Sequence, residues 1–310
     1  MLTAGYGIFD FFMPVPLPHP AAEQFIWLGS SVVRRAQGVF FEASNFANLC
    51  GFFLLLVSTA FLAREERALS VARRGLRLAI PVLSLAVFVS FSRSAWGNVT
   101  VGILTFAVVS KEARFTRGLG FLLALTVPLV VLWYWAPELW GYLLDRRLGH
   151  LTQIFADPDL VASGRFETWR RALTIFQDHP QYLLFGVGYK TLPYTRLFHG
   201  EIIMDNGYMN LLLETGIAGL LGFVALSIAI LKTFWGLARR GGEEIAFWGA
   251  MFFAFWCGQL VQMLATDTYT YWRNMIVFFG LMGFALNRAE RAGTATKIRL
   301  VWPRRGPLKP

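Results

Sequence analysis

Long apolar runs alternate with short basic segments along most of the chain. A membrane-spanning helix needs roughly 20 mainly apolar residues, so the second and third of these runs are short for independent spans. The pattern predicts an all-α, polytopic membrane helix bundle with about seven transmembrane helices. The runs lie at Phe46–Ala63, Leu78–Phe91, Ala95–Ser110, Gly118–Ala136, Tyr208–Leu231, Ile245–Ala265 and Thr270–Asn287.

The basic segments predict how these spans are oriented. Loops rich in Lys and Arg stay in the cytoplasm, and two cytoplasmic loops must be separated by an even number of spans. Residues 78–110 therefore cross the membrane twice, as a hairpin with Ser92, Arg93 and Ser94 at its outer turn. The segments predicted to be cytoplasmic are Arg64–Arg77, Lys111–Arg117, Lys232–Arg240 and the tail from Arg288.

This topology divides the chain into five parts. The middle part is a long polar loop, predicted to contain short helices and to lie outside the cytoplasm. The parts are an extracytoplasmic or interfacial segment at 1–45, four spans at 46–137, the loop at 138–207, three spans at 208–287 and a basic cytoplasmic tail at 288–310.

Composition supports a membrane protein and excludes several other classes. Hydrophobic residues make up 55% of the chain and charged residues only 15%, which is unlike a soluble domain. Most of the net charge of +10 falls in the predicted cytoplasmic segments, where anionic lipid headgroups account for it, so we expect no nucleic-acid partner. The two cysteines lie in predicted helices and the four histidines are scattered, so no metal site is predicted.

The predicted topology places the N-terminus outside the cytoplasm, although no signal peptide is evident. We expect the sequence to be the C-terminal portion of a longer multi-span protein. The alternative is a short N-terminal tail that is translocated unaided.

Five sequence pieces, in order and on one predicted face of the membrane, resemble the O-antigen ligase and O-antigen polymerase superfamily of bacterial envelope glycosyltransferases. The resemblance covers roughly residues 38–287. The pieces are Gly38–Ala47, Ser92–Trp96, Arg165 with Trp169, His179–Gly188 and Asp205–Gly219.

The resemblance implies a metal-independent, cofactor-free enzyme of the bacterial inner membrane. Such an enzyme takes glycan from an undecaprenyl-diphosphate carrier on the periplasmic face and transfers it to another glycan (polymerase) or to lipid A core (ligase). The family's ligases usually carry His-Asn where this chain has Asp205-Asn206, so a polymerase is expected ahead of a ligase.

Arginines are the side chains best suited to stabilise the diphosphate that leaves in this reaction. A guanidinium pairs bidentately with phosphate and stays charged at any relevant pH. Arg93 lies at the predicted outer turn, where lipid snorkelling is the alternative role. Arg165 begins a helix predicted to end at Asp178–Pro180, where its alternative is a solvated cation or a salt bridge within the loop.

The acceptor hydroxyl has to lose a proton, and carboxylates can accept it. Asp205 is the first candidate, and capping of the helix that follows, by Asp205 or Asn206, is the alternative role. Asn206, Asn210 and Glu214 share one face of that helix, and Glu214 is a second catalytic candidate with a structural hydrogen bond as its alternative.

Other residues receive weaker predictions. Substrate contacts are assigned to Asn206, Asn210, Arg170, Tyr208 and Trp169, with a solvated helix face as the alternative for Arg170. Gly186 and Gly188 are expected in a tight turn. A function of another class stays open, either a flippase or transporter for lipid-linked sugar or an inactive membrane fragment; a transporter would have broken helices and charges near the bilayer midplane.

Overall fold

A computed structural model describes residues 1–13, 23–28, 31–64, 73–110, 120, 165–194 and 205–294. Within these segments the protein is mostly helical, with one antiparallel two-stranded hairpin. The predicted helical class is therefore confirmed for the described part of the chain. Most of the predicted loop at 138–207 lies outside the described residues, apart from 165–194 and 205–207.

The elements follow one another in a simple order. The helices are α1 (Leu2–Phe12), α2 (Ala43–Ala63), α3 (Arg73–Val89), α4 (Arg93–Val109), α5 (Arg165–Asp178), α6 (Tyr182–Phe185), α7 (Gly207–Arg240), α8 (Glu243–Gln262) and α9 (Trp272–Arg291). Strands β1 (Phe25–Leu28) and β2 (Ser31–Arg34) precede α2, and 3₁₀ turns cover Leu192–Tyr194 and Thr268–Thr270.

Three of the described helices are long and apolar enough to cross a membrane, namely α2, α7 and α8. Helices α3 and α4 are each 17 residues long and are joined by a short turn at residues 90–92, not at the predicted 92–94, because Arg93 already begins α4. That each of them crosses the membrane stays a prediction. Six predicted apolar runs coincide with helices, whereas Gly118–Ala136 lies almost wholly outside the described residues. The count of seven spans stays a prediction.

The bundle core is rich in aromatic side chains. Phe52 of α2 packs against Phe255 of α8 and Phe278 of α9, with ring centroids 4.8 and 4.5 Å apart. All three rings are fully buried. In a membrane, where helices gain little from excluding water, such close packing supplies much of the attraction between them.

A layer of buried amide side chains crosses the same bundle, and we call it the carboxamide layer. Asn48 and Asn98 each donate from Nδ2 to the Oε1 atoms of Gln259 and Gln262, over 2.7–3.0 Å. Asn274 donates to Asn48 Oδ1 over 3.1 Å and to the backbone oxygen of Asn45 over 2.9 Å. The layer joins α2, α4, α8 and α9 by directional bonds.

The segment before α2 is fastened by a buried ion pair. Asp10 of α1 is fully buried, and Arg34 of β2 donates from Nη2 to both of its carboxylate oxygens over 3.0 Å. Breaking such a pair would leave a buried charge uncompensated, which is costly. The pair therefore holds the strand hairpin against the first helix.

Helices α4 and α8 approach closely because residue 258 is a glycine. A Cβ at Gly258 would lie 2.5 Å from the backbone oxygen of Asn98, with the Asn98 side chain even closer. We expect Gly258→Ala to push the helices apart and lower stability by about 1–3 kcal/mol, seen as a lower melting temperature in detergent. Gly280→Ala is the matched control, since a Cβ at Gly280 meets nothing within 4 Å. Equal melting temperatures for the two variants would contradict this account.

Candidate active site

A cavity of about 900 Å³ opens at the end of the bundle where α2, α4 and α7 begin and α8 ends. Four charged side chains line it, namely Arg35, Glu42, Arg93 and Asp205. We call this cavity the charged cleft. It brings two guanidinium groups and two carboxylates together from four separate parts of the chain.

Arg93 is the first residue of α4, and its side chain is exposed at the cleft. The helix dipole disfavours a cation at a helix N-terminus, so the charge of Arg93 does not stabilise α4. The N-terminal N–H groups and a guanidinium together favour an anion instead. The position suits binding of a phosphate-containing group.

The turn that presents Arg93 is held from outside the α3–α4 hairpin. Phe91 has a positive φ of 52°, a conformation that costs a side-chain-bearing residue about 1–2 kcal/mol. Arg35 Nε donates to the backbone oxygen of Ser90 over 2.9 Å, and Ala36 N donates to Val89 O over 3.0 Å. These two bonds stabilise the strained turn. Arg35 therefore lines the cleft and also helps to position Arg93.

Asp205 enters the cleft because the next residue performs the capping. Asn206 Oδ1 accepts from the backbone N–H groups of Tyr208 and Met209, both over 3.0 Å. Asn206 Nδ2 donates to the backbone oxygen of Leu264 over 3.2 Å. Of the two predicted caps, the structure selects Asn206, and the exposed Asp205 carboxylate is not needed for that task.

Glu42 is a cleft residue that sequence reasoning did not select. Tyr271, buried at the start of α9, donates from its hydroxyl to Glu42 Oε2 over 3.2 Å. Burial raises the pKa of Glu42, and the charge of Asp205 raises it further, while the bond from Tyr271 lowers it. The available signal was its place in the Gly38–Ala47 piece, directly before an apolar run.

A second group of polar side chains lies near the start of α7. Asn210 donates to Asp267 Oδ2 over 2.5 Å, and Lys190 Nζ lies 3.8 Å from the same oxygen. Tyr269 donates to Glu214 Oε2 over 3.4 Å. Asn206, Asn210 and Glu214 are all buried along one helix face, as their spacing predicted.

Three glycines shape the docking of the segment after α6 onto α7. Gly216 has φ 68° and interrupts the helix, and the freed carbonyls of Leu213 and Glu214 accept from Val187 N and Gly188 N over 2.9 Å. Gly186 and Gly188 also have positive φ values of 70° and 113°, which confirms the predicted turn. The docking places Lys190 beside Glu214, whose carboxylate accepts a bond from the Lys190 backbone N–H.

An apolar groove of about 460 Å³ lies between α7, α8 and α9. Its walls include Phe223, Trp256 and Phe279, and Tyr269 stands at its polar end. Tyr269 is also the hydrogen-bond donor to Glu214. Tyr269 therefore belongs to both the wall of the groove and the second polar group.

Residues 78–224 match the model of a family described as O-Antigen ligase. This stretch is similar to an O-antigen ligase domain, which supports the O-antigen ligase and polymerase superfamily. It includes Arg93, Asp205, Glu214 and the helix break at Gly216, whereas Glu42 and Asp267 lie outside the matched residues. No curated protein matches the chain.

The match to the O-antigen ligase family supports several coarse conclusions. The domain belongs to a membrane protein, in keeping with its apolar helices. The family implies a glycosyltransferase-like activity, with a lipid-linked glycan and an acceptor as its partners. Within the described segments, no three His, Cys, Asp or Glu side chains lie close enough together to hold a metal ion.

The other site residues predicted from the sequence lie on α5 and α7. Helix α5 begins at Arg165 and ends at Asp178, as predicted, but the Arg165 side chain lies outside the described residues. Arg170 is exposed, and Trp169 packs against a small apolar cluster containing Leu213.

Tyr208 belongs to the same predicted set as these α5 residues. Its hydroxyl donates to the backbone oxygen of Leu260 over 2.7 Å. The catalytic and binding roles assigned from the sequence stay predictions.

The docking of the α6 segment should depend on Gly216. An alanine there would adopt an unfavourable φ, and its Cβ would overlap the Leu184 carbonyl. We expect Gly216→Ala to speed hydrogen–deuterium exchange at the Val187 and Gly188 amides by tenfold or more, a factor of about ten for each 1.4 kcal/mol. Gly222→Ala is the control because its Cβ meets nothing within 4 Å. Unchanged exchange in Gly216→Ala would contradict the proposed docking.

Stability should depend on pH through Asp267. Burial raises the pKa of Asp267 from 3.8 to about 7, and the nearby Glu214 adds to this, while Lys190 and Asn210 oppose it. The folded protein thus holds a proton that the unfolded chain loses near pH 4. The bound proton contributes on the order of 2–4 kcal/mol to the free energy of unfolding. This contribution is complete below about pH 4 and is lost as the pH rises through about 7.

The measurement is the melting temperature in detergent between pH 5 and pH 8. It should fall for the wild type and much less for Asp267→Asn, which carries no such proton. The exposed Asp178→Asn is the control and should keep the wild-type pH dependence. Parallel curves for the wild type and Asp267→Asn would show that Asp267 does not hold this proton.

Proposed function

We propose that this protein is a bacterial inner-membrane glycosyltransferase that polymerises polysaccharide repeat units from an undecaprenyl-diphosphate carrier on the periplasmic face. One observation carries the proposal: Arg93 and Asp205, both within the O-antigen ligase domain, line a single cleft at the end of the bundle. A cation for the leaving group and a carboxylate for the acceptor are the two groups that this reaction requires.

The reaction follows from these positions. The acceptor hydroxyl attacks the anomeric carbon of the carrier-linked glycan, the new C–O bond forms, and the bond to the diphosphate breaks. Arg93 stabilises the negative charge that develops on the diphosphate, with Arg165 as the second proposed cation. Asp205 accepts the hydroxyl proton, and no metal ion is assigned a step.

The distribution of charge supports a periplasmic cleft. Arginines gather at the opposite end of the bundle, where α2, α7 and α9 end and α3 begins, at Arg64, Arg73, Arg74, Arg77, Arg239, Arg240, Arg288 and Arg291. Basic helix ends stay on the cytoplasmic side. The cleft is therefore assigned to the periplasmic side, within reach of a headgroup diphosphate.

The apolar groove supports a lipid-linked donor. Its aromatic and aliphatic walls suit the chain of an isoprenoid carrier. Roles in holding the glycan are proposed for Glu214, Asn206, Asn210, Tyr208, Trp169 and Arg170.

The helix break at Gly216 is the feature that a transporter would share. Here the Leu213 and Glu214 carbonyls are occupied by the docked segment. In a transporter such carbonyls line the path of the substrate, so the arrangement favours the enzyme.

The test is a glycan profile of cells lacking the gene, complemented with wild type, Arg93→Ala, Arg165→Ala or Arg291→Ala. We expect the deletion to accumulate single lipid-linked repeats and to lose long polymer. Arg93→Ala should lower polymer formation about a hundredfold or more, because one stabilising group of the leaving charge is lost. The exposed Arg291 lies at the far end of the bundle, and its variant should restore the wild-type profile.

Other profiles would change the assignment. Long polymer that remains on its carrier would favour a ligase over a polymerase. Full rescue by Arg93→Ala would contradict the proposed role of the cleft, and an unchanged profile in the deletion strain would contradict the enzyme.

A further inference from the structure

Glu42 occupies the N-cap position of α2, yet its carboxylate makes no capping hydrogen bond. The first helical N–H group, that of Ala43, instead donates to Gln24 Oε1 over 2.9 Å. The backbone oxygen of Glu42 accepts from Asn45 N and Phe46 N over 3.1 Å. Helix formation therefore uses the backbone of Glu42 and does not explain its carboxylate.

The carboxylate is aimed into the charged cleft by Tyr271. The tyrosine is 5% exposed, and its hydroxyl donates to Glu42 Oε2 over 3.2 Å. A buried donor of this kind fixes the orientation of the carboxylate and leaves Oε1 without a bond from this tyrosine. Glu42 also lines the same cavity as Asp205.

Resting on the proposed function, we infer that Glu42 and Asp205 accept the acceptor's proton as a pair, with Tyr271 as the positioning residue for Glu42. Two carboxylates in one partly buried cavity repel each other, and a single proton relieves that repulsion. Glycosyl transfer releases one proton from the attacking hydroxyl. The pair holds that proton while the diphosphate leaves, and then passes it to water.

The charge environment of Glu42 agrees with this role. Burial and the charge of Asp205 raise the pKa of Glu42, while the cations and the tyrosine bond keep its ionised form accessible. Arg93, at the start of α4, lines the same cleft. Four other groups act on the pKa of Glu42. They are Arg35 after β2, Lys190 in the docked segment, Asp205 just before α7 and Tyr271 at the start of α9.

The test uses the purified full chain in detergent, with the lipid-linked repeat isolated from cells lacking the gene as both donor and acceptor. Glu42→Gln keeps the size of the side chain but cannot accept the proton. We expect kcat to fall about a hundredfold, with the donor Kd changed less than twofold. Glu42→Asp should retain part of the activity, and the exposed Glu290→Gln should behave as wild type.

Two further measurements separate a catalytic pair from a structural one. The double variant Glu42→Gln with Asp205→Asn should be no more than about threefold worse than the poorer single variant, because both act on one proton. Tyr271→Phe removes a bond that lowers the pKa of Glu42, so the acid limb of the kcat profile should move to higher pH.

Activity of Glu42→Gln within twofold of wild type would overturn the inference, as would an unmoved acid limb in Tyr271→Phe. If Glu42→Gln fails to fold, the Tyr271→Phe profile alone decides. Loss of activity in Arg93→Ala and Asp205→Asn, with Glu42→Gln active, rejects only the role of Glu42. Activity in all three variants rejects the proposed function itself.

Discussion

The charged cleft depends on the carboxamide layer beneath it. Amide side chains inside a membrane have no water to bond to, so they form hydrogen bonds with one another. These bonds fix the rotation of each helix about its own axis and its depth in the bundle. Ser44, Ser94 and Thr266 line the cleft one helical turn away from Asn48, Asn98 and Gln262. A shift in any helix would therefore break the layer and displace the cleft wall together. Phe–Phe packing alone, which is less directional, would tolerate such a shift.

The helix break at Gly216 connects the loop to this bundle. An uninterrupted α7 would satisfy its own carbonyls and offer nothing to the segment after α6. The positive φ at Gly216 exposes two carbonyls, and the segment of Val187 and Gly188 binds them. Lys190 is thereby carried to the buried carboxylate of Glu214 and the half-buried carboxylate of Asp267. A local conformation that only glycine adopts easily thus determines which loop residues reach the site.

Local patterns could be predicted from the sequence, and contacts between distant segments could not. The bounds of α5 and the shared face of Asn206, Asn210 and Glu214 follow from spacing, and the structure agrees. The turn predicted at residues 92–94 lies instead at 90–92. Glu42 was missed because a carboxylate before an apolar run resembles an ordinary cap. Only its bond to Tyr271, 229 residues away, shows otherwise.

The two arginines proposed to bind diphosphate both lie at the start of a helix, a position that helix stability does not explain. Arg93 begins α4 and Arg165 begins α5. At a helix N-terminus a cation faces the positive end of the dipole, which disfavours it, whereas Asp or Glu would be stabilised there. An anion bound at the start of α4 would be favoured by both the guanidinium of Arg93 and the N-terminal N–H groups of the helix. A cation in this position gains from a bound anion, which is the physical pattern expected of a group that stabilises a charge arising during reaction.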